Sequence, residues 1–175
     1  MWKNAEYAEL FRREVRVWPE TFDALVAKIK DHPVFGNNSN NAQAPVSTQL
    51  AVALYRFGHY GNAASQLSIS YWAGVSLGSV PLYTARVMTA ILGVGLLKEY
   101  VRMPNEEEKE KAKEAVIRMS GCKEWGGGWC MVDGTLIPIY ARPNWYGVSY
   151  FDRKMNYSMS LQVSNTCLSP YPLTS

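Results

Sequence analysis

Apolar side chains recur at intervals of three and four through roughly the first 120 residues and at intervals of two from about Trp129, so a helical regime gives way to a strand regime. In PETFDALVAKIKDHPVF, Phe22, Leu25, Val26 and Ile29 fall at helical spacing, and Pro19 and Glu20 suit a first turn. AEYAELFRREVR before it predicts a shorter helix carrying Arg12, Arg13 and Arg16. A solvated face is the simpler account of that cluster, a phosphate contact the alternative. The polar, Asn-rich loop GNNSNNAQAP, from Gly36 to Pro45, separates this segment from the next.

From Ser47 to Leu97 the pattern predicts three helices with short joints. STQLAVALYRF places Leu50, Ala51, Leu54 and Phe57 on one side, and two glycines in GHYGN end it. A second helix is expected from Asn62, a suitable N-cap, to Gly74. After the short glycine-containing turn AGVS comes LGSVPLYTARVMTAIL, with Val80, Tyr83, Val87, Ile91 and Val94 at helical spacing. Pro81 would cost a backbone hydrogen bond if Ser76 capped this helix, which favours a start near Ser79. Helix, turn, helix is the arrangement that reads duplex DNA, and it is equally an ordinary helical hairpin. For the first reading the exposed polar candidates are Ser79, Thr84 and Arg86.

PNEEEKEKAKEAVIRM is a charged amphipathic helix, with Asn105 and Glu108 spaced as a capping box and a narrow stripe of Ala112, Ala115, Val116 and Met119. The period changes from helical to alternating near Gly121 to Gly128, where a domain boundary is expected and Gly126 to Gly128 look like a hinge. WCMVDGTLIPI then predicts one strand and NYSMSLQV a second, paired antiparallel. The stretch SNTCLSPYPLTS, with two prolines and no period, does not continue a sheet.

Composition narrows the classes without selecting one. At 175 residues and 47% hydrophobic the chain is globular and can bury a full core. A net charge of +3 is compatible with a nucleic-acid partner and too mild to argue for one. Cys122, Cys130 and Cys167 form no CxxC pair, which fits a reducing compartment and speaks against a zinc site. No run reaches membrane-spanning length and the start lacks a signal-like pattern, so no membrane partner is expected and an intracellular location, nucleus or cytoplasm, is.

Asp133 is the residue that asks for an explanation. It lies mid-strand beside Met131, Thr135 and Ile137 on one face, and a carboxylate on a covered apolar sheet costs several kcal/mol unless a cation, metal or donor meets it. Asp152 suits an ion pair with Arg153 or Lys154, or a turn, better than metal ligation. His32 and His59 suit surface or helix-end positions, and Trp72, Trp125, Trp129 and Trp145 are expected in cores rather than stacked on bases.

QAPVSTQLAVALYRFGHYGNAAS, YWAGVS, WCMVDGTLIPI and YFDRKMNYSMSLQV, in this order and spacing, resemble the Harbinger-type transposase-derived nucleases of the DDE endonuclease superfamily, particularly the kind found in fungal genomes. The resemblance spans about Phe11 to Val163. It implies an α+β chain: a mainly helical region (1–120) with a helix-turn-helix at about 47–97, followed by the first antiparallel strands of a ribonuclease-H-like domain (121–164); the irregular tail (165–175) lies outside the family pattern. It implies further that Asp133 is the first of three acids that hold Mg²⁺ or Mn²⁺. Two such ions about 4 Å apart activate the attacking hydroxide and stabilise the leaving oxygen of a phosphodiester. The sequence departs from the family after the second strand, since no Asp or Glu follows Asp152. The expectation is therefore a truncated DDE-type endonuclease, inactive in this form and lacking two of its three acids. Double-stranded DNA is the expected partner, with weak or absent metal binding. A DNA-binding module without chemistry is the alternative, as is pairing with another chain through an open sheet edge.

Overall fold

The computed structural model describes residues 5–37 and 40–166. Six helices come first: α1 (Ala5–Val15), α2 (Pro19–Ile29), α3 (Val46–Gly58), α4 (Gln66–Ala73), α5 (Ser79–Gly93) and α6 (Leu96–Tyr100). A seventh, α7 (Glu106–Ser120), precedes two strands, β1 (Cys130–Pro138) and β2 (Ser158–Thr166). The class is thus α+β, mostly helical, with one antiparallel two-stranded sheet among the described residues. No helix among them is long and apolar enough to cross a membrane.

The helices of the first unit assemble around α3, which is buried on two sides. Leu50 and Ala53 join Phe22, Ile29, Val87, Ala90 and Leu96 in one core cluster, while Val52 and Tyr55 join Ile69 and Val80 in another. A single stripe ending in Phe57 was the expectation, yet Phe57 is exposed. A helix wedged between two clusters presents more than one apolar face, which a one-face reading misses. Gln49 is fully buried there, and its amide donates to the Ala44 carbonyl at 2.8 Å, tying the Asn-rich loop to α3.

Local chemistry sets the ends of the helices. Pro19 opens α2 as the first residue after Trp18. Asn105 and Glu108 complete a reciprocal capping box on α7, as their spacing predicts. The helix at α4 begins later than expected: Ser65 caps it by accepting the Ser68 N–H, while Asn62 belongs to a 3-10 turn, Gly61–Ala64. Both residues are acceptable caps, and the left-handed Gly61 (φ 66°) interrupts the chain between α3 and Ser65.

The chain divides into two compact units between Arg102 and Met103. The change from helix to strand falls at Gly121–Gly128 as the pattern indicates, but α7 clusters with the strands rather than with the other helices. In the second unit the 3-10 turn Lys123–Gly127 folds back on α7, where Gly126 lies against Ile117. The strands pair in a register that sets Asp133 opposite Val163 and Pro138 opposite Ser158. β2 runs on to Thr166, three residues past the expected end. Of the irregular tail expected from residue 165, only Asn165 and Thr166 are described, and they belong to β2; Cys167 lies outside the described residues.

Candidate functional site

Antiparallel register fixes which side chains share a face. Met131, Asp133, Thr135 and Ile137 stand with Asn165, Val163, Leu161 and Met159 on one side of the ribbon; Val132, Gly134, Leu136 and Pro138 stand with Ser164, Gln162, Ser160 and Ser158 on the other. Asp133 is exposed, and its Oδ1 accepts the N–H of its own neighbour, Gly134, at 2.8 Å. The expected burial of this carboxylate is therefore corrected: Met131, Ile137, Met159, Leu161 and Val163 beside it are exposed too, so water and one backbone N–H solvate the charge and no cation is required.

Asp152 organises the turn between the strands. Its Oδ1 accepts the backbone N–H groups of Lys154 (2.7 Å) and Asn156 (3.1 Å), and its Oδ2 accepts the Ser158 hydroxyl at 2.7 Å. The Ser158 hydrogen bond, followed by the Asn156 N–H, holds this carboxyl below the ordinary carboxylate value. Ser158 belongs to the face opposite Asp133, so the two acids address different sides of the ribbon. Among the described residues no group of three or more His, Cys, Asp or Glu side chains is placed to hold a metal ion. This donor set does not fit the two-ion centre that the DDE resemblance implies, because a hard cation needs several oxygen ligands and one carboxylate supplies at most two.

The turn between α4 and α5 is built from small residues. Gly74 closes α4 in the left-handed conformation (φ 64°), and the Val75 N–H returns to the Ser70 carbonyl. The helix α5 starts at Ser79, which puts Pro81 inside the first turn, where its missing N–H costs nothing. Of the three polar candidates, Ser79 is half-buried and shares a 2.8 Å hydroxyl contact with Ser76. Thr84, expected on the exposed side, is 5% exposed and donates its hydroxyl to the Val80 carbonyl at 2.8 Å. Arg86 is half-buried. The outward side of α5 is instead largely apolar, with Leu82, Ala85, Met88, Thr89 and Leu92 exposed. Counting polar residues along α5 could not reveal this, because burial of the helix is decided by the position of α3.

The remaining candidates take plain structural places. His32 accepts the Val34 N–H at 3.2 Å and caps the 3-10 turn Pro33–Phe35. His59 bonds the Tyr55 carbonyl at 2.7 Å and stacks on the Tyr55 ring, which in turn packs against Trp72. Both are helix-end roles. The tryptophans depart from expectation: Trp72, Trp125 and Trp145 are exposed and Trp129 is half-buried beneath Lys109. Trp72 has one ring face on Tyr55 and leaves the short helix α4 with the other uncovered, while the turns and the two-stranded ribbon around Trp125, Trp129 and Trp145 offer too little surface to cover rings of that size.

At the carboxyl end of α1, Glu9, Arg12, Arg13 and Arg16 line a cavity of about 260 Å³. Arg16 adopts a left-handed backbone (φ 64°), its N–H closes α1 on the Arg12 carbonyl, and its Nε donates to the Gly58 carbonyl at 3.1 Å. No family model, curated protein or solved structure matches the chain.

Proposed function

We propose that the chain carries the duplex-binding helices and the first catalytic acid of a transposase-derived endonuclease of the DDE superfamily, and that with this one acid it binds DNA without cutting it. In this reading β1 and β2 are the opening strands of a ribonuclease-H-like sheet, and α4, the Gly74–Gly78 turn and α5 are the helix-turn-helix. The observation that carries it is Asp133 itself. It stands mid-strand in an antiparallel hairpin, exposed, and among the described residues its carboxylate takes up only the Gly134 N–H. Among the described residues nothing in the local fold asks for a carboxylate there, since neither a cap, a turn nor an ion pair depends on it. Its neighbours in β1 are the residue types that a covered strand uses.

Fluorescence anisotropy with a duplex, at low and moderate salt, tests the binding half, and nicking of supercoiled plasmid with Mg²⁺ or Mn²⁺ tests the chemical half. The expected result is salt-sensitive binding weakened by Arg86→Ala, with no nicking. Asp133-dependent nicking would show that further acids reach the site. Absence of binding at low salt would remove DNA from the account.

A second reading is favoured by the ribbon's exposed apolar face and its two unpaired edges among the described residues. In it, another polypeptide adds a strand to β1 or β2. Hydrogen exchange separates the two: the strand amides of the chain by itself exchange rapidly, and only an added strand slows them.

A further inference from the structure

We propose that Arg12, Arg13 and Arg16 form a phosphate-binding cradle that holds the backbone of duplex DNA, an inference that rests on the DNA-binding reading and locates where that contact is made. Three guanidinium groups and one carboxylate, Glu9, line the same cavity. Cations at a helix carboxyl end are favoured by the helix dipole, which accounts for one or two of them. It does not account for how they are held. Arg12 pairs with Glu9 at 3.5 Å and lies over the Trp18 ring at 4.7 Å. Arg16 is fixed by its left-handed backbone and by its Nε bond to Gly58, whose α-carbon it approaches so closely that a Cβ there would stand 2.5 Å from Arg16 Cγ. Arg13, between them in sequence and exposed, has no hydrogen-bond or ion-pair partner among the described residues. Two arginines are thus pre-set by their surroundings and the third is free to close on a ligand, which lowers the ordering cost of binding.

The charge distribution points the same way. Residues 1–102 hold ten basic and seven acidic side chains, whereas 103–175 hold eight of each, so the chain's whole excess of +3 belongs to the unit that contains α1. A polyanion suits this cradle better than a small phosphate compound, because all three arginines are exposed and the cavity has no enclosing wall of buried polar groups. Guanidinium forks match phosphate oxygens bidentately, and such contacts are independent of base sequence.

The test is duplex anisotropy on the intact chain across about 50 to about 200 mM salt, comparing the native protein with Arg13→Ala, Arg12→Ala, Gly58→Ala and Arg86→Ala. Arg13→Ala should weaken binding equally for unrelated duplex sequences and reduce the log–log salt slope by about 1. Its melting temperature should not change, since no hydrogen bond or ion pair among the described residues rests on Arg13. Gly58→Ala, which displaces Arg16, should weaken binding in the same sequence-independent way. If Arg86→Ala weakens binding while Arg13→Ala and Arg12→Ala leave the salt slope intact, the cradle is refuted and the DNA-binding reading stands. If the native chain binds no duplex at low salt, both fall.

Discussion

Gly93→Ala is the substitution whose outcome depends most sharply on the packing described above. Gly93 is the last residue of α5, and a Cβ added there would lie 2.4 Å from His32 Nε2 and 3.0 Å from its Cδ2. The imidazole must therefore move, and it is held by the Val34 N–H that donates to Nδ1. Replacing glycine by alanine in a helix gains up to about 1 kcal/mol, and somewhat less at a final position. Against that stand overpacking, at about 1 to 3 kcal/mol, and loss of the Val34 hydrogen bond, at about 0.5 to 1.5 kcal/mol. The net expectation is destabilisation by about 1 to 2 kcal/mol. With His32→Ala as background the obstacle is gone, and the same change should stabilise by about 0.5 kcal/mol. Urea unfolding of the four proteins closes a double-mutant cycle with a coupling of about 1.5 to 2.5 kcal/mol, within the range for residues in contact. A coupling within about 0.3 kcal/mol of zero, or a Gly93→Ala protein more stable than the native chain, would refute the close approach of loop and helix.

Thr84→Val should leave duplex affinity unchanged and shift stability by less than about 1 kcal/mol, because the hydroxyl is spent on the Val80 carbonyl; an anisotropy loss as large as that of Arg86→Ala would show that α5 presents a different side. Asp133→Asn should change the urea midpoint by less than about 0.5 kcal/mol in stability, as for other exposed positions, and a larger drop would mean that the carboxylate has a structural partner. Asp152 titrates below the ordinary carboxylate value of 3.8 in the folded chain, so its contribution is fully present above 3.8 and is lost as pH falls through its lower folded value. An acid titration of the Lys154 and Asn156 amide shifts reads this directly; a midpoint at or above 3.8, or a titration that survives Asp152→Asn, contradicts the three-bond turn.

The elements were legible in the sequence wherever one physical rule acted alone. The capping box of α7, the proline at the start of α2, the start of α5 near Ser79 and the pairing of the two strands each follow from residue type and spacing. What local pattern does not contain is which surfaces find a cover. Phe57, Trp72, Trp125 and Trp145 are apolar and exposed, Thr84 is polar and buried, and α6, five residues long, is tied down from a distance by Lys28 donating to both oxygens of Glu99 at 2.8 Å. Arg16 shows the same limit at the candidate cradle. Its side chain type is visible in the sequence, but its left-handed backbone and its approach to Gly58 depend on α1 meeting α3, forty-two residues away.

The position of Asp133 couples two properties of the ribbon, its apolar face and its charge. Its own face carries Met131, Ile137, Met159, Leu161 and Val163 from both strands, while on the opposite face Val132, Leu136 and Pro138 of β1 stand against only polar residues of β2, Ser158, Ser160, Gln162 and Ser164. Whatever covers the apolar face must therefore cover the acid as well. Exposed, the carboxylate is solvated by water and one N–H and costs little; covered, it becomes an ion in a dry environment, which costs several kcal/mol unless a cation or several donors arrive with the cover. A purely apolar partner is disfavoured by that charge, and an electrostatically complementary one is selected. This makes Asp133→Leu a probe of specificity rather than of stability. It should leave the exposed ribbon intact and make its face bind apolar surfaces indiscriminately, visible as concentration-dependent self-association in sedimentation velocity. A variant that stays as monodisperse as the native chain would show that the acid is not what keeps this face apart.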